Sequence, residues 1–310
     1  MPKVSILHLI TAAKNASPFD VNMAYDAGFD KIMPYTNVAL SEVAALTQDA
    51  IFSRSPSGVK REALFIGGRD IHLALTMQQA AKNAMFTPFE MSTFADPSGA
   101  FTTAAAMLAK IDALLKSQQQ TFTAQIIAIF GAGGAVGSTA ALIAASLGAT
   151  VQLVAHKQVA QMQDYAEDLQ AKYGVSLQVV DGTDDAKKTQ ILQHATIAIC
   201  AAAAGIRVLD IAHFSASETL KIVADVNAVA PSGAAGVDVM SDGQVIADTQ
   251  AIEHDIHGVE IKRREIKGIG ALAIGQLKYK TQQTMLQQML KADNPVHLAY
   301  NHAFDIARAL

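Results

Sequence analysis

Four glycines follow an apolar run near the middle of the chain, at a spacing that suits phosphate binding. Residues 127–141 read IAIFGAGGAVGSTAA, so a strand-like run ends at Gly131 and a helix-like run begins around Gly137. Glycine lets such a turn approach a pyrophosphate closely, and the first N–H groups of the helix point at the anion. This predicts dinucleotide binding, the alternative being a turn that serves only helix-on-sheet packing. The predicted contacts are Gly131, Gly133, Gly134, Ala135, Val136 and Gly137.

The end of the next predicted strand bears on the choice of cofactor. An NAD site usually carries Asp or Glu there, which holds the ribose hydroxyls. The predicted strand over 150–155 is instead followed by His156 and Lys157, two side chains that would attract a 2′-phosphate. We therefore expect NADP to be favoured without NAD being excluded. The alternative is that both residues are ordinary solvent-exposed loop residues.

Loops after the later strands are expected to border the nicotinamide. Ala203 and Gly270 could allow close approach of the cofactor, and Asn227 could donate to its carboxamide. An Asx turn before Pro231 explains Asn227 almost as well. Lys278 follows a glycine-rich segment, although a surface lysine is the default interpretation. We find no catalytic triad and no metal-ligand spacing among the nine histidines.

Strand-like and helix-like segments alternate in two blocks separated by the polar stretch 117–121. Ser17, Pro18 and Asp20 form a helix start resembling a capping box, and Gly28 is a plausible end. The other predicted helices of the first block are 71–84 and 102–116, and its strands are 4–10, 63–66 and 91–94. The second block has strands at 125–130, 150–155, 176–180, 195–202 and 221–224. Beyond Gly270 we predict two helices, divided near residues 294–295.

This alternation predicts an α/β protein with a Rossmann-like, doubly wound parallel sheet domain and a smaller α/β substrate domain. We expect the nucleotide domain over 117–270 and the substrate domain over 1–116 with 271–310. The active site would lie in the cleft between them.

Composition restricts the class of protein further. The chain has 310 residues, of which 51% are hydrophobic, which is enough for about two domains with packed cores. A formal net charge of −4 argues against nucleic-acid or membrane-surface binding. The single cysteine, Cys200, lies in an apolar run and reads as an inert core thiol. We expect a soluble, cytoplasmic protein.

Several longer segments resemble the methylene-tetrahydromethanopterin dehydrogenases of methylotrophic bacteria. These segments are 17–28 (SPFDVNMAYDAG), 47–54 (TQDAIFSR), 65–68 (FIGG), 94–104 (FADPSGAFTTA) and 268–275 (GIGALAIG). The likeness covers almost the whole chain and is closer to the branch that uses NAD or NADP than to the NADP-only branch that also accepts tetrahydrofolate.

The resemblance implies oxidation of a methylene bridge on a reduced pterin carrier to a methenyl cation, with direct hydride transfer to the nicotinamide. Such chemistry needs no general base, which agrees with the missing acid–base constellation. It also implies a homo-oligomer. Matched to the family's motifs, Lys278, Asp20 and Asp96 are the catalytic candidates, and Asn22, Thr102 and Thr103 are the substrate-binding candidates. Helix capping and an Asx turn are the alternatives for Asp20 and Asp96.

Three rival functions remain open at this stage. One is a methylene-tetrahydrofolate dehydrogenase, and another is a shikimate-like NADP-dependent dehydrogenase. The shikimate-like enzyme would need a Lys/Asp pair in the first domain, which Lys14 and Lys31 do not clearly supply. The third rival is a module that senses NADP without turnover.

Overall fold

The computed structural model describes residues 4–215, 217–249, 251–254 and 260–310. The chain divides into two compact units. The first unit comprises Met1–Ala105 with Leu277–Leu310, and the second unit comprises Ala106–Gln276. Within the described ranges, no helix is both long and apolar enough to cross a membrane.

Strands and helices alternate along most of the chain. The strands are β1 (Ile6–Ile10), β2 (Lys31–Tyr35), β3 (Glu62–Ile66), β4 (Ser92–Ala95), β5 (Ile126–Phe130), β6 (Thr150–Ala155), β7 (Gln178–Asp181), β8 (Ile197–Cys200), β9 (Ile222–Asp225), β10 (Asp242–Val245), β11 (Ala251–His254), β12 (Glu260–Arg264), β13 (Lys267–Ile269) and β14 (His297–Leu298). The helices are α1 (Pro18–Ala27), α2 (Val43–Phe52), α3 (Pro56–Val59), α4 (Ile71–Asn83), α5 (Ala100–Ser117), α6 (Ala135–Ser146), α7 (Val159–Tyr173), α8 (Asp185–Leu192), α9 (Ile211–Ser215), α10 (Ala271–Lys291) and α11 (Tyr300–Ala307).

The first unit is built on a five-stranded sheet of order β14-β4-β3-β1-β2, in which all neighbours are parallel. Strands β1, β3 and β4 and helices α1, α4 and α5 lie where the sequence predicts them, with small shifts at their ends. Strands β2 and β14 were not predicted. Because β2 is a mostly exposed edge strand that contains a proline, Pro34, its sequence lacks the usual strand pattern.

Helix α1 begins and ends where the sequence predicts. Ser17 is the N-cap, Pro18 occupies the first turn, and Gly28 ends the helix in the left-handed conformation with φ of 105°. The hydroxyl oxygen of Ser17 accepts a 3.5 Å hydrogen bond from the amide of Asp20. The prediction that Asp20 completes a capping box is wrong, because its carboxylate is buried and accepts a hydrogen bond from Gln282 on α10.

The second unit is built on a seven-stranded sheet of order β10-β13-β9-β8-β5-β6-β7. Neighbouring strands are parallel except β10, which runs antiparallel to β13. The five predicted strands are all present, with small shifts at their ends. Strands β10 to β13 were not predicted. The strand order reverses between β5 and β8, where ligands of such sheets bind.

Cys200 lies in the apolar core of the second unit, in a cluster that also includes Phe130 and Phe214. Its side chain is 1% exposed. Burial and the neighbouring Asp225 carboxylate raise the pKa of the thiol well above its usual value. A thiol in this state is a weak nucleophile, as the sequence predicted.

The turn between β5 and α6 depends on the absence of two side chains. Gly131 has φ of 82°, and a β-carbon there would lie 2.5 Å from the backbone of Ala201. A β-carbon on Gly137 would lie 2.5 Å from the carbonyl oxygen of Gly131. Helix α6 can therefore begin directly against the end of the sheet only because both positions are glycine.

Replacing Gly137 by alanine should lower stability by about 1–3 kcal/mol, because the added methyl group forces the turn and α6 apart. Gly133→Ala is the matched control, since its β-carbon would meet only the end of Met162, at 3.8 Å. Urea unfolding of both variants measures the difference. Equal stabilities would contradict the packing role of Gly137.

Candidate active site

Four polar side chains from three parts of the first unit meet in a buried cluster. Asp20 lies in the first turn of α1, Asp96 follows β4, and Lys278 and Gln282 lie one turn apart on α10. Lys278 is 8% exposed, Asp20 is 4% exposed, and Asp96 and Gln282 are fully buried. Charged side chains are seldom buried to this extent, so the cluster marks a candidate functional site.

Gln282 connects the cation of the cluster to one carboxylate. The Lys278 ammonium donates to Gln282 Oε1 at 2.5 Å, and Gln282 Nε2 donates to Asp20 Oδ1 at 3.1 Å. The two ends of one amide therefore fix the orientation of both charged groups. Sequence reasoning did not select Gln282, although its spacing of four residues from Lys278 places both on one helical face.

The carboxylate of Asp96, in the loop after β4, is hydrogen-bonded to the first turn of the following helix, α5. Its carboxylate accepts hydrogen bonds from the amide of Phe101 at 2.9 Å, and from the amide and hydroxyl of Thr102 at 3.3 and 2.6 Å. These bonds hold the start of α5, and because they come from residues five and six positions ahead they are not the Asx turn that we gave as the alternative. Asp96 therefore influences the site through its charge and through the position of this loop.

The remaining substrate-binding candidates lie at different positions. The hydroxyl of Thr102 is buried and donates to the Asp96 carboxylate, whereas the hydroxyl of Thr103 donates to the carbonyl of Gly99 at 2.6 Å. Asn22 is exposed. Because it lies two residues after Asp20 on α1, it points away from the buried face of that helix.

Lys278 packs against a glycine and an aromatic ring. A β-carbon on Gly99 would lie 2.9 Å from Lys278 Cε, so the lysine occupies the space that a side chain would take. The ammonium lies 3.5 Å from the centroid of the Phe19 ring, which stabilises the cation. Phe19 is 45% exposed, so its ring is open to solvent beside the buried charge. Sequence reasoning also missed Phe19.

Burial shifts the ionisation of all three charged groups of the cluster. It raises the pKa of Asp20 to about 7, helped by the negative charge of Asp96 and opposed by Gln282 and Lys278. Burial also raises the pKa of Asp96, and Lys278 and the Thr102 hydrogen bonds oppose the change. It lowers the pKa of Lys278, against the attraction of both carboxylates. The cluster can thus change its charge near neutral pH.

The glycine turn of the second unit leads into a helix start whose first backbone donors lack helical partners. Gly133 and Gly134 are exposed. Gly134 is the N-cap of α6, and no side chain caps this helix. The N–H groups of Ala135, Val136 and Gly137 have no partner inside the helix, as in every helical first turn. An exposed, uncapped helix start fits a pyrophosphate.

Two more of the predicted nucleotide contacts lie at the carboxyl end of β6. His156 and Lys157 directly follow this strand, and both are exposed. Ala203 is likewise exposed, in the loop after β8. These positions are compatible with ligand contact.

Asn227 and Gly270 have packing roles. Asn227 Oδ1 accepts from the amides of Gly205 and Val229, and its Nδ2 donates to the carbonyl of Pro231. Asn227 therefore makes the expected local turn and also ties the loop after β8 to the loop after β9. A β-carbon on Gly270 would lie 2.0 Å from the carbonyl oxygen of Asp238, so the backbone itself requires this glycine.

Across the described part of the chain, no group of three or more His, Cys, Asp or Glu side chains could hold a metal ion.

Known proteins of similar fold include two enzymes of different activity. A shikimate 5-dehydrogenase from Listeria monocytogenes, solved with shikimate and NAD, aligns with a TM-score of 0.50 and 14% identity over 98% of this chain and 96% of that chain. An ornithine transcarbamoylase from Giardia lamblia aligns with a TM-score of 0.54 and 10% identity over 94% and 88% of the two chains. At such low identity these likenesses support the α/β fold with its Rossmann-like sheet, and nothing more.

Sequence comparison is more specific. Residues 18–98 match the family described as methylene-tetrahydromethanopterin dehydrogenase, N-terminal. An NAD(P)-dependent methylenetetrahydromethanopterin dehydrogenase of Methylorubrum extorquens is 40% identical over 98% of this chain and 97% of its own length. Bifunctional protein MdtA of the same organism is 28% identical over 90% of each chain. On the strength of the first relative, the chain belongs to the methylene-tetrahydromethanopterin dehydrogenase family.

Proposed function

We propose that the protein oxidises methylene-tetrahydromethanopterin to methenyl-tetrahydromethanopterin, with NAD⁺ or NADP⁺ as the hydride acceptor. The observation that carries the proposal is the 40% identity, over nearly the whole chain, to a relative with this activity in its name. The step belongs to one-carbon oxidation at the level of formaldehyde. We assign carrier binding to the first unit and nucleotide binding to the second.

The second unit supplies the features that a dinucleotide needs. The exposed turn at Gly133 and Gly134 and the first N–H groups of α6 would hold the pyrophosphate. Asn227 would act by fixing the loops after β8 and β9. The nicotinamide, when bound, supplies a carbon that accepts the hydride.

The first unit supplies a polar site for the carrier, in which Lys278 and Asp20 are the proposed contacts. The methenyl product is a cation, so the Lys278 ammonium would not stabilise it. Lys278 therefore serves to orient the carrier, and the carboxylates of Asp20 and Asp96 offset its repulsion of the product in so far as they are ionised. The open ring of Phe19 offers a flat apolar surface beside this charge.

No protein base is required by this chemistry, because the hydride leaves with both electrons of its bond and no proton is released. The contribution of the chain is to hold the two reactants in register and to exclude water. The buried hydrogen bonds between Lys278, Gln282 and Asp20 suit that task, because they fix side chains that would otherwise rotate freely.

The remaining proposals concern assembly and location. We propose that the protein is a homo-oligomer, as the family resemblance implies, and that it is cytoplasmic. Light scattering of the purified protein would measure the oligomer size, and a monomer at working concentration would contradict the proposal.

The activity is tested by mixing purified protein with each nicotinamide cofactor and one carrier at a time. Reduced nicotinamide should form with methylene-tetrahydromethanopterin. Turnover with methylene-tetrahydrofolate alone, or with shikimate alone, would replace the proposal by one of these rival functions. Nucleotide binding without turnover of any carrier would indicate a sensing module.

Lys278→Ala should lower turnover about 10- to 100-fold, because the carrier loses an orienting group. Lys280→Ala is the matched control, since Lys280 lies one position beyond Tyr279 on the same helix and is exposed. Steady-state kinetics with saturating cofactor measure both variants. Wild-type kinetics for Lys278→Ala would remove Lys278 from the site.

The shifted ionisation of Asp20 predicts a pH dependence of stability. Its folded pKa of about 7 lies above the ordinary value of 3.8, so the folded state holds this proton more tightly than the unfolded chain does. The resulting stabilisation is full below about pH 4 and is lost as pH rises towards about 7.

Asp20→Asn cannot ionise and should escape this loss. The free energy of unfolding of Asp20→Asn, relative to wild type, should therefore increase as pH rises through that interval. Urea unfolding at a series of pH values measures the difference. A difference that does not vary with pH would show that Asp20 ionises normally.

A further inference from the structure

The end of β6 lacks a carboxylate of its own, but the neighbouring strand brings one to it. Asp181 is the last residue of β7, and its Cα is the register partner of Ala155, the last residue of β6. Adjacent strands lie about 4.8 Å apart, so Asp181 stands beside the start of the His156–Lys157 segment. The sequence alone hides this carboxylate, because it lies on another strand.

A glycine holds Asp181 in this place. The amide of Gly182 donates to the carbonyl of Ala155 at 2.9 Å. A β-carbon at Gly182 would lie 2.3 Å from Val154 Cγ1, so only glycine lets the chain run this close to the end of β6. The position of Asp181 relative to β6 is therefore fixed by packing.

Asp181 is paired with a lysine that remains accessible. Lys187 Nζ lies 2.8 Å from Asp181 Oδ2, and the two side chains are 41% and 40% exposed. Thr183 donates to the other carboxylate oxygen through its amide at 3.0 Å and its hydroxyl at 2.6 Å. These hydrogen bonds, that of Lys187 first, lower the pKa of Asp181 to about 2, so the group is anionic at neutral pH. Exposed ion pairs contribute little stability, so a ligand can separate this one.

We propose that Asp181 and Lys187 together determine how the protein uses both nicotinamide cofactors. Asp181 accepts a hydrogen bond from the ribose 2′-hydroxyl of NAD⁺. In other NAD sites an acidic residue at the end of the strand equivalent to β6 makes this contact. Lys187 pairs with the 2′-phosphate of NADP⁺, whose charge Asp181 repels. The inference rests on the proposed use of NAD(P) by the second unit.

Direct binding measurements test the pair without needing turnover. Titration calorimetry of the full chain with NAD⁺ and with NADP⁺ gives two dissociation constants and their ratio. Asp181→Asn should weaken NAD⁺ relative to NADP⁺ about tenfold, because the 2′-hydroxyl loses a charged acceptor and the phosphate loses a repelling neighbour. Lys187→Gln should shift the ratio about tenfold in the opposite direction.

Matched control variants are available in the same unit. Asp168 and Lys172 form a pair on α7 with the same chemistry, an Nζ–Oδ2 distance of 2.7 Å and 45% and 49% exposure. Lys172 lies about 20 Å along the helix from Val159, where α7 leaves the end of β6. Asp168→Asn and Lys172→Gln should leave the ratio unchanged.

The outcomes separate the two levels of the proposal. If the wild-type protein binds neither nucleotide, the proposed function of the second unit fails. If it binds both, and Asp181→Asn and Lys187→Gln leave the ratio at its wild-type value, the role of this pair is overturned while the proposed function stands. The ratio of the NAD⁺ and NADP⁺ dissociation constants is measured within each variant. A general loss of affinity through damage to the fold weakens both constants and therefore does not change their ratio.

Discussion

The buried ammonium of Lys278 requires compensating groups from several parts of the first unit. A cation removed from water must be compensated by nearby charge, hydrogen bonds or aromatic rings. Asp20, Asp96, Gln282 and the Phe19 ring provide these, and they come from α1, the loop after β4 and α10. One lysine therefore demands that three distant parts of the sequence meet at one place in the first unit.

The second unit presents the opposite electrostatic situation. Its glycine turn carries the exposed residues Gly133 and Gly134, and no side chain caps α6. A buried cluster satisfies its charges internally and needs tight packing, whereas an open helix start is completed by an anionic ligand. The two units thus handle uncompensated charge in different ways, which suits the distinct ligands that we assign to them.

Local patterns in the sequence were sufficient for much of the fold. The limits of α1 follow from Ser17, Pro18 and Gly28, because capping chemistry acts over a few residues. Strands β5 to β9 of the second unit and the glycine turn were equally visible in the sequence. By contrast, β14 is a strand only because it pairs with β4, and this contact spans some two hundred residues.

The candidate site could be predicted only in part for the same reason. The family resemblance indicated Lys278 and Asp20, and the structure brings them into one cluster. The resemblance could not reveal Gln282, whose side-chain amide is hydrogen-bonded to Lys278 at one end and to Asp20 at the other. Asp96 was a catalytic candidate, and its carboxylate accepts three hydrogen bonds from the start of α5, a packing role that the sequence did not indicate. Residue type alone does not distinguish these uses.

The first unit is made from both ends of the chain, and this has a consequence for biosynthesis. Its sheet includes β14, and Lys278 and Gln282 lie close to the carboxyl terminus. The second unit, encoded in the middle, is the first to leave the ribosome with its whole sequence. The first unit is complete only once α10 and β14 have been translated. Until then Lys278 is not available to the carboxylates of Asp20 and Asp96, so their burial has to follow the synthesis of α10.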